Sequence, residues 1–516
     1  MQTLHPLSAR NGTRQKKRRP VAMTLGSDAN GQILARMDPL AVELKACQLY
    51  DFVRIRDTVG RIVSIQDCHD YRSDTELALL ARDYLITQSD PDPHALTKTY
   101  KKMSIEPLGT ISGGLLCEYT GGIGYFHPVY RALPDDIAGI YPPSEGVCIG
   151  NVTSGIKETP VPFFLGRDTA LSRHCAIFGK NGSGKTNLLK EVIAANQESK
   201  EPLPMLVFGH PDLGLSNPND GGSKGLSSLY SENLVLLGYR TPIKVSPEEL
   251  SLYDIFEHFE NMSTSMKDLW AHMHSREPKT FIHTLAGYDV NDDPLELHRK
   301  TIKDRQNNTI EVKGVANLRT IDAVSKQARV LCRYVDAKAP PVLSQIIGHL
   351  KQKKTVLVNT FNLSDSQQGW LIKLVLERLQ KAVKAAMHKG IGIRFLVIVD
   401  EAQHFVARTG EAIGEFCREA RKFGLTILFA TQSPLTIPES IKGQIYSVIS
   451  FHINRPDLVE LAKMAPSLYD LRNTIARPPL KNTVGVAIAH TSGYPYPAIV
   501  KVPLFERRFR KGGGMP

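Results

Sequence analysis

The sequence predicts an α/β fold built on a mostly parallel sheet, and three observations predict it. The run GKNGSGKT, Gly179 to Thr186, lies between a short apolar stretch, His174 to Phe178, and a helix-like stretch, Asn187 to Ala195. The run RFLVIVDEAQ, Arg394 to Gln403, places a continuous apolar segment, Phe395 to Val399, directly before two carboxylates. A strand buried on both faces of a parallel sheet reads in this continuous way. Around these two runs, strand-like and helix-like segments alternate, as in a doubly wound sheet.

The strand candidates are His174–Phe178, Leu203–Phe208, Thr355–Phe361, Arg394–Val399, Leu425–Ala430 and Tyr446–Phe451, with helices at Gln367–Lys389 and Glu411–Lys422. The polar, helix-rich segment from about Asn217 to Gly348 interrupts the alternation and reads as a helical insertion. The core with its insertion is expected over residues 166–482. Before it, residues 25–165 read as a small β-barrel domain. Its strands are expected in Phe52–Ile65, in a hairpin over Leu115–Phe126, and at Gly146–Val152 and Pro160–Leu165, with one helix at Thr75–Ile86. Residues 1–24, carrying RQKKRRP at Arg14 to Pro20, read as a disordered basic arm, either a solvated tail or an arm that touches nucleic acid. Residues 483–516 form a C-terminal strap and tail, with strands at Thr483–Ala489 and Ala498–Val502.

A chain of 516 residues exceeds one comfortable domain, and 42% hydrophobic with 22% charged residues is ordinary for a globular protein. No apolar stretch has the length of a membrane span, and the N-terminus lacks an apolar signal core. Seven scattered cysteines without a C-x-x-C pair fit a reducing compartment and argue against a disulfide framework or a zinc site. The expected location is cytoplasmic. The net charge of +12 suits a polyanionic partner, although a merely basic surface gives the same sum. Cys68-His69-Asp70 has no companion ligand cluster, and Lys351, Lys353 and Lys354 read as a solvated patch.

The chemistry concentrates in the first run. Gly179, Gly182 and Gly184 let the backbone turn tightly and aim N–H groups at phosphate oxygens. Lys180, Asn181 and Ser183 fill the loop between them, and Asn187 opens the helix behind it. Lys185 can reach the β- and γ-phosphates of ATP, and the Thr186 hydroxyl can hold Mg²⁺. The helix contributes the positive end of its dipole. Ligands of open α/β sheets sit outside the carboxyl ends of strands. There Asp400 can hold Mg²⁺ and Glu401 can orient and polarise an attacking water. Gln432, at the tip of Leu425–Ala430, can sense the γ-phosphate or that water. Arg418 and Arg421 are three residues apart and so share a helix face. An arginine at the far edge of a RecA-like sheet can enter a neighbouring subunit's nucleotide site, an effect worth ~10³–10⁵ in rate.

Taken in order, a small β-barrel, GKNGSGKTN, DEAQHF, CREARKFGLTILFATQSP and IPESIKGQIYSVISFHINRPD resemble the HerA-type translocases of the HerA–FtsK group. Arg394 to Asp457 carries the resemblance most specifically. It implies a RecA-like P-loop NTPase core, a homo-hexameric ring, ATP and Mg²⁺ between subunits, and duplex DNA through the centre. Carried over by position, Lys185 and Thr186 bind phosphate and metal, and Asp400 and Glu401 serve metal and water. Gln432 is the sensor and Arg421 the finger acting in trans, with Arg418 as its substitute. Arg173 or His174 lies near the nucleotide. In the strap, His490 to Tyr494, with Thr491 and Ser492 among them, approach base or ribose. Relatives of this type work with a nuclease of the NurA kind in DNA-end resection, or with nuclease or NAD-cleaving subunits in anti-phage defence. A related ring that moves polypeptide, and a nucleotide-gated scaffold for an effector, are the alternatives. One departure is visible. The family's second strand ends in an Asp-Pro-His-Gly type run, whereas here Phe208-Gly209-His210-Pro211-Asp212 displaces the acidic residue.

Overall fold

The computed structural model describes residues 18–71, 73–87, 98–113, 115–216, 224–259, 261–289, 295–303, 305, 309–390, 394–476 and 484–510. The basic arm up to Lys17, the start of the expected insertion at Asn217, and the tail from Lys511 lie outside them.

The N-terminal unit is antiparallel. Its strands are β1 (Ala22–Ser27), β2 (Ile33–Met37), β3 (Phe52–Ile55), β4 (Thr58–His69), β5 (Thr99–Ser112), β6 (Leu115–Cys117) and β7 (Tyr125–Arg131). They pair in the order β2-β1-β7-β3-β4-β5-β6, and β2 also pairs with β5. Six strands therefore close on themselves, with β6 attached to β5. Alternation fixes which residues point inward: Ile33, Ala35 and Met37 on β2 are buried together with Val53, Ile55, Ile62, Met103, Ile105 and Val129. The expected hairpin over Leu115–Phe126 does not form. β6 turns back on β5, while β7 crosses to β1 and β3. Helix Asp74–Thr87 sits in the β4–β5 connection, where the sequence predicts it.

The second sheet has eleven strands: β8 (Gly146–Ser154), β9 (Lys157–Gly166), β10 (His174–Phe178), β11 (Met205–Gly209), β12 (Leu234–Leu237), β15 (Thr355–Asn359), β16 (Phe395–Val399), β17 (Leu425–Thr431), β18 (Ile445–Ser450), β19 (Val486–His490) and β20 (Ala498–Lys501). β13 (Lys300–Lys303) and β14 (Thr309–Lys313) form a separate ribbon within the insertion. The order is β12-β15-β11-β16-β17-β10-β18-β19-β20-β8-β9. From β12 to β18 every pairing is parallel; from β18 onward every pairing is antiparallel. Two expectations change here. The β8–β9 hairpin, expected in the N-terminal unit, joins this sheet through β20. The insertion, expected from about residue 217, first supplies edge strand β12, because Leu234–Leu237 continues the apolar face beside β15.

Every residue of β10, β11, β15, β16 and β17 is buried. Alternate residues serve two cores. Ala176, Phe178, Leu206, Phe208, Val397 and Val399 pack with Leu371, Val375 and Leu379 of helix Asp365–His388. Cys175, Ile177, Met205, Val207, Leu396 and Ile398 pack with Leu188, Leu189, Val192 and Ile193 of helix Lys185–Gln197. Burial of each large apolar side chain contributes about 1.5–3 kcal/mol, so these four residues pin the helix firmly behind the glycine-rich loop. The C-terminal residues clamp the same helix from outside. Arg508 pairs with Glu191 (2.8 Å) and Glu198 (2.5 Å), and Phe505 is fully buried. Among the described residues, no helix is long and apolar enough to cross a membrane.

Candidate active site

The loop Gly179–Gly184 leaves β10 between two neighbouring strands and is tied to both. Gly179 N–H donates to the Thr431 carbonyl at the end of β17 (3.2 Å), and Lys180 N–H donates to the His452 carbonyl beyond β18 (2.9 Å). Gly182 and Gly184 have φ of +73° and +117°, a region that side chains avoid. Gly184 is the N-cap of helix Lys185–Gln197 and offers no capping side chain. The first N–H groups of that helix are therefore left for another acceptor. The loop is shaped from below: a Cβ at Gly184 would lie 3.2 Å from the Phe451 ring, and one at Gly179 would lie 2.4 Å from Ser183 Oγ. On its outer side, a Cβ at Gly182 would meet nothing within 4 Å. Asn181 is exposed and Lys180 half-buried at the rim, and Thr186 is half-buried just inside the helix. Ser183 Oγ is buried without a hydrogen-bond partner.

Lys185 is 5% exposed. Its Nζ donates to the Gly179 carbonyl (2.7 Å) and lies 4.0 Å from Glu401 Oε1. Burial lowers its pKa, and Glu401 opposes that shift. Asp400 and Glu401 stand at the tip of β16. Asp400 N–H donates to the Phe208 carbonyl (2.9 Å), and Glu401 N–H donates to Asp400 Oδ1 (3.0 Å). Asp400 keeps some accessible surface, but its carboxyl lies among crowded strand ends. Desolvation, reinforced by Glu401 and opposed by Lys185, pushes it up from 3.8 to about 7. Gly209 permits this crowding, since a Cβ there would stand 3.2 Å from Asp400 Cβ. Glu401 has φ +51°. Gln432 Nε2 donates to Glu401 Oε2 (3.4 Å), so the expected sensor and the expected catalytic carboxylate do meet.

The features fit a nucleotide with Mg²⁺: an open glycine turn, uncapped helix N–H groups, an orphaned buried hydroxyl, a buried lysine, and a hydroxyl and carboxylate for the metal. Asn187 does not join them. Its amide donates to the Pro503 carbonyl (2.8 Å) and its Oδ1 accepts from Phe505 N–H (2.9 Å), so it anchors the C-terminal segment. The displaced acidic residue, Asp212, pairs with His210 (3.1 Å) in the turn after β11.

A second group of expected residues gathers at the opposite end of the sheet. Arg173 directly precedes β10 and His174 begins it, about 13 Å from the loop at roughly 3.3 Å per residue. His174 is no ligand. Its ring is buried, with Nε2 on the Cys417 carbonyl (2.9 Å) and Nδ1 accepting from Ile427 N–H (3.0 Å). Burial lowers its pKa, which suits a neutral ring bridging two backbone groups. Arg418 lies in the last turn of helix Gln403–Ala420, and Arg421 in the turn Arg421–Phe423 before β17; both are exposed. The guanidinium carbons of Arg173 and Arg421 lie 4.7 Å and 5.3 Å from the Tyr446 ring centre. β19 is antiparallel to β18 and ends at His490, opposite Val448 in mid-strand, so the chain beyond it runs toward this same end. Ser492 there is exposed, and its N–H donates to Ser447 Oγ (3.4 Å). Thr491 is buried and its hydroxyl has no partner, so it presents no side chain to a ligand on the surface.

Sequence reasoning passed over Gln403 and Thr431. Gln403 Nε2 donates to Glu401 Oε2, and Thr431 Oγ1 donates to Gln403 Oε1 (2.7 Å). The available signal was the amide two residues after Glu401. It also passed over Phe451, whose ring underlies the loop.

The family model described as "Helicase HerA, central domain" matches residues 147–379, from β8 through the loop to helix Asp365–His388. The DNA double-strand break repair helicase HerA of Sulfurisphaera tokodaii is 23% identical over 398 residues, 73% of each chain. That of Saccharolobus solfataricus is 21% identical over 394 residues, again 73% of each. Among solved structures, the plasmid coupling protein TrwB in complex with ADP and Mg²⁺ is 13% identical. It has a TM-score of 0.47 and covers 71% of this chain and 90% of its own. VirB4 of Thermoanaerobacter pseudethanolicus is 11% identical, with a TM-score of 0.42 and coverage of 70% and 97%.

Proposed function

We propose, from the premise that this chain is a HerA-type protein and an ATP hydrolase, that it works as a ring motor which translocates duplex DNA. One observation carries the ring: Lys185, Asp400, Glu401 and Gln432 share one end of the sheet, whereas Arg173, Arg421 and Ser492 share the other. A complete site then needs two copies of the chain, arranged head to tail, and such an interface forms a ring when its rotation closes. Six copies are proposed by analogy with the family.

In this reading the loop N–H groups and Lys185 bind the phosphates of ATP. Lys185 exchanges the Gly179 carbonyl for a phosphate oxygen. Thr186 and Asp400 hold Mg²⁺, which neutralises charge on the phosphate oxygens. Glu401 orients the attacking water, and Gln432 reports the γ-phosphate to the tip of β17. Arg421 of the adjacent copy approaches the transferring phosphoryl group, and Arg418 stands beside it. The closed six-stranded unit is read as the family's small β-barrel. Any nuclease or NAD-cleaving step belongs to a separate effector polypeptide.

The DNA part of the reading is tested by titrating linear duplexes of unrelated sequence in the presence of a non-hydrolysable ATP analogue. Affinity should not depend on sequence and should fall steeply from low to physiological salt, because counterion release drives it. Affinity unchanged across that range argues against DNA as the cargo.

A further inference from the structure

Glu401 is held by more than the loop lysine. Its backbone sits at φ +51°, where a non-glycine residue needs support from its surroundings. One carboxylate oxygen, Oε1, faces Lys185 at 4.0 Å. The other, Oε2, accepts from two amides, Gln403 and Gln432, and the Gln403 bond is the shorter. A carboxylate only accepts hydrogen bonds, so each amide must present Nε2 to it. For Gln403 that orientation is enforced from behind. Its Oε1 accepts from the Thr431 hydroxyl at 2.7 Å, and Thr431 is fully buried. The Thr436 hydroxyl lies 3.0 Å from Thr431 Oγ1 but gives its proton to the Ser433 carbonyl (2.7 Å), so the Thr431 proton is left for Gln403. The chain of donors therefore runs in one direction: Thr431 to Gln403 to Glu401. Thr431 also takes the Gly179 N–H on its backbone carbonyl, so one residue at the tip of β17 touches both the loop and the carboxylate's support.

We propose that Gln403, locked by the Thr431 hydroxyl, is the positioning residue that aims the Glu401 carboxylate. The proposal rests on the reading of Glu401 as the carboxylate that orients water. Gln432 cannot do this alone. Its bond to Glu401 is long at 3.4 Å, and in the proposed cycle its amide also serves the γ-phosphate. Gln403 lies two residues after Glu401 and is held at its other end by Thr431, so it keeps its grip while Gln432 changes partner.

The test compares ATP turnover with ATP affinity in the full chain. Gln403→Ala and Thr431→Val should lower kcat by about 10–100-fold, the range for partners that orient a reacting group from behind. Their affinity for ATP, measured by binding a fluorescent analogue, should stay within about threefold of wild type (~0.65 kcal/mol). Thr431→Ser, which keeps the hydroxyl and removes only a methyl, should restore most of the rate. Wild-type turnover in both Gln403→Ala and Thr431→Val overturns the proposal. So does a Thr431→Ser enzyme as slow as Thr431→Val, or a loss of ATP affinity that matches the loss of kcat, since either makes the pair a prop for the loop. Glu401→Gln separates this failure from failure of the underlying reading. If Glu401→Gln hydrolyses ATP at the wild-type rate, the carboxylate itself is misassigned.

Discussion

Arg421 and Gln432 flank the same strand, β17, from opposite ends of the sheet. Six residue steps from Leu425 to Thr431 span roughly 20 Å, further than an arginine side chain extends. Arg421 therefore cannot serve the site that Gln432 lines in its own chain.

Arg421→Ala subunits should bind ATP nearly as wild type does and hydrolyse it slower by orders of magnitude. Lys185→Ala subunits keep Arg421 but lack the loop lysine. Mixing the two should create interfaces where an intact Lys185 faces an intact Arg421. Activity of the mixture above that of either variant alone is the expected result. No recovery in verified mixed assemblies contradicts a role in trans. If Arg421→Ala alone hydrolyses ATP normally, Arg418 becomes the residue to test in the same design.

The charge state of Asp400 gives a pH dependence. Its carboxyl is pushed up from 3.8 to about 7 in the nucleotide-free fold. Below the lower value it is neutral in both folded and unfolded chains. Between the two values the unfolded chain ionises while the folded one resists, so its contribution to stability falls as pH rises and is lost above about 7. Asp400→Asn cannot ionise and escapes this loss. Its Tm relative to wild type should rise between about pH 4 and about pH 7 and level off above that. A Tm difference that does not change with pH contradicts the shift. Because metal binding needs the carboxylate, Mg²⁺-dependent ATP binding by the wild type should also strengthen as pH rises through that window.

The C-terminal clamp should matter for stability. Glu191 is 1% and Arg508 8% exposed, and they are joined at 2.8 Å on the back of the helix that carries Lys185. Removing one partner of a buried pair costs about 3–5 kcal/mol because the other charge is left stranded. Arg508→Ala should lower the midpoint of urea unfolding accordingly. A midpoint within error of wild type would show that water already solvates the pair.

Much of the sheet was legible because its strands are buried on both faces and therefore read as unbroken apolar runs. His174–Phe178 and Phe395–Val399 are examples, and each expected strand of the parallel half lies within two residues of where it is found at its N-terminal end. The glycine spacing and the two carboxylates likewise announced one end of the site. Pairing across distance was not legible. Gly146–Ser154 alternates like a barrel strand, and nothing local says that its partner is Val500, far along the chain. His174 is polar at the start of a strand and so looked available; only the fold reveals the Cys417 carbonyl and the Ile427 amide that occupy it. Asn187 misled for the same reason, since its partners Pro503 and Phe505 lie at the other end of the chain.

In the proposed function, ATP hydrolysis at Lys185 and Glu401 drives movement along duplex DNA. The most direct measurement is the steady-state ATPase rate of the full chain with and without linear duplex DNA, with Lys185→Ala as the background. Turnover above that background, rising when duplex is added, is the expected result. Turnover no higher than the Lys185→Ala background, or a wild-type rate that duplex DNA leaves unchanged, would contradict it.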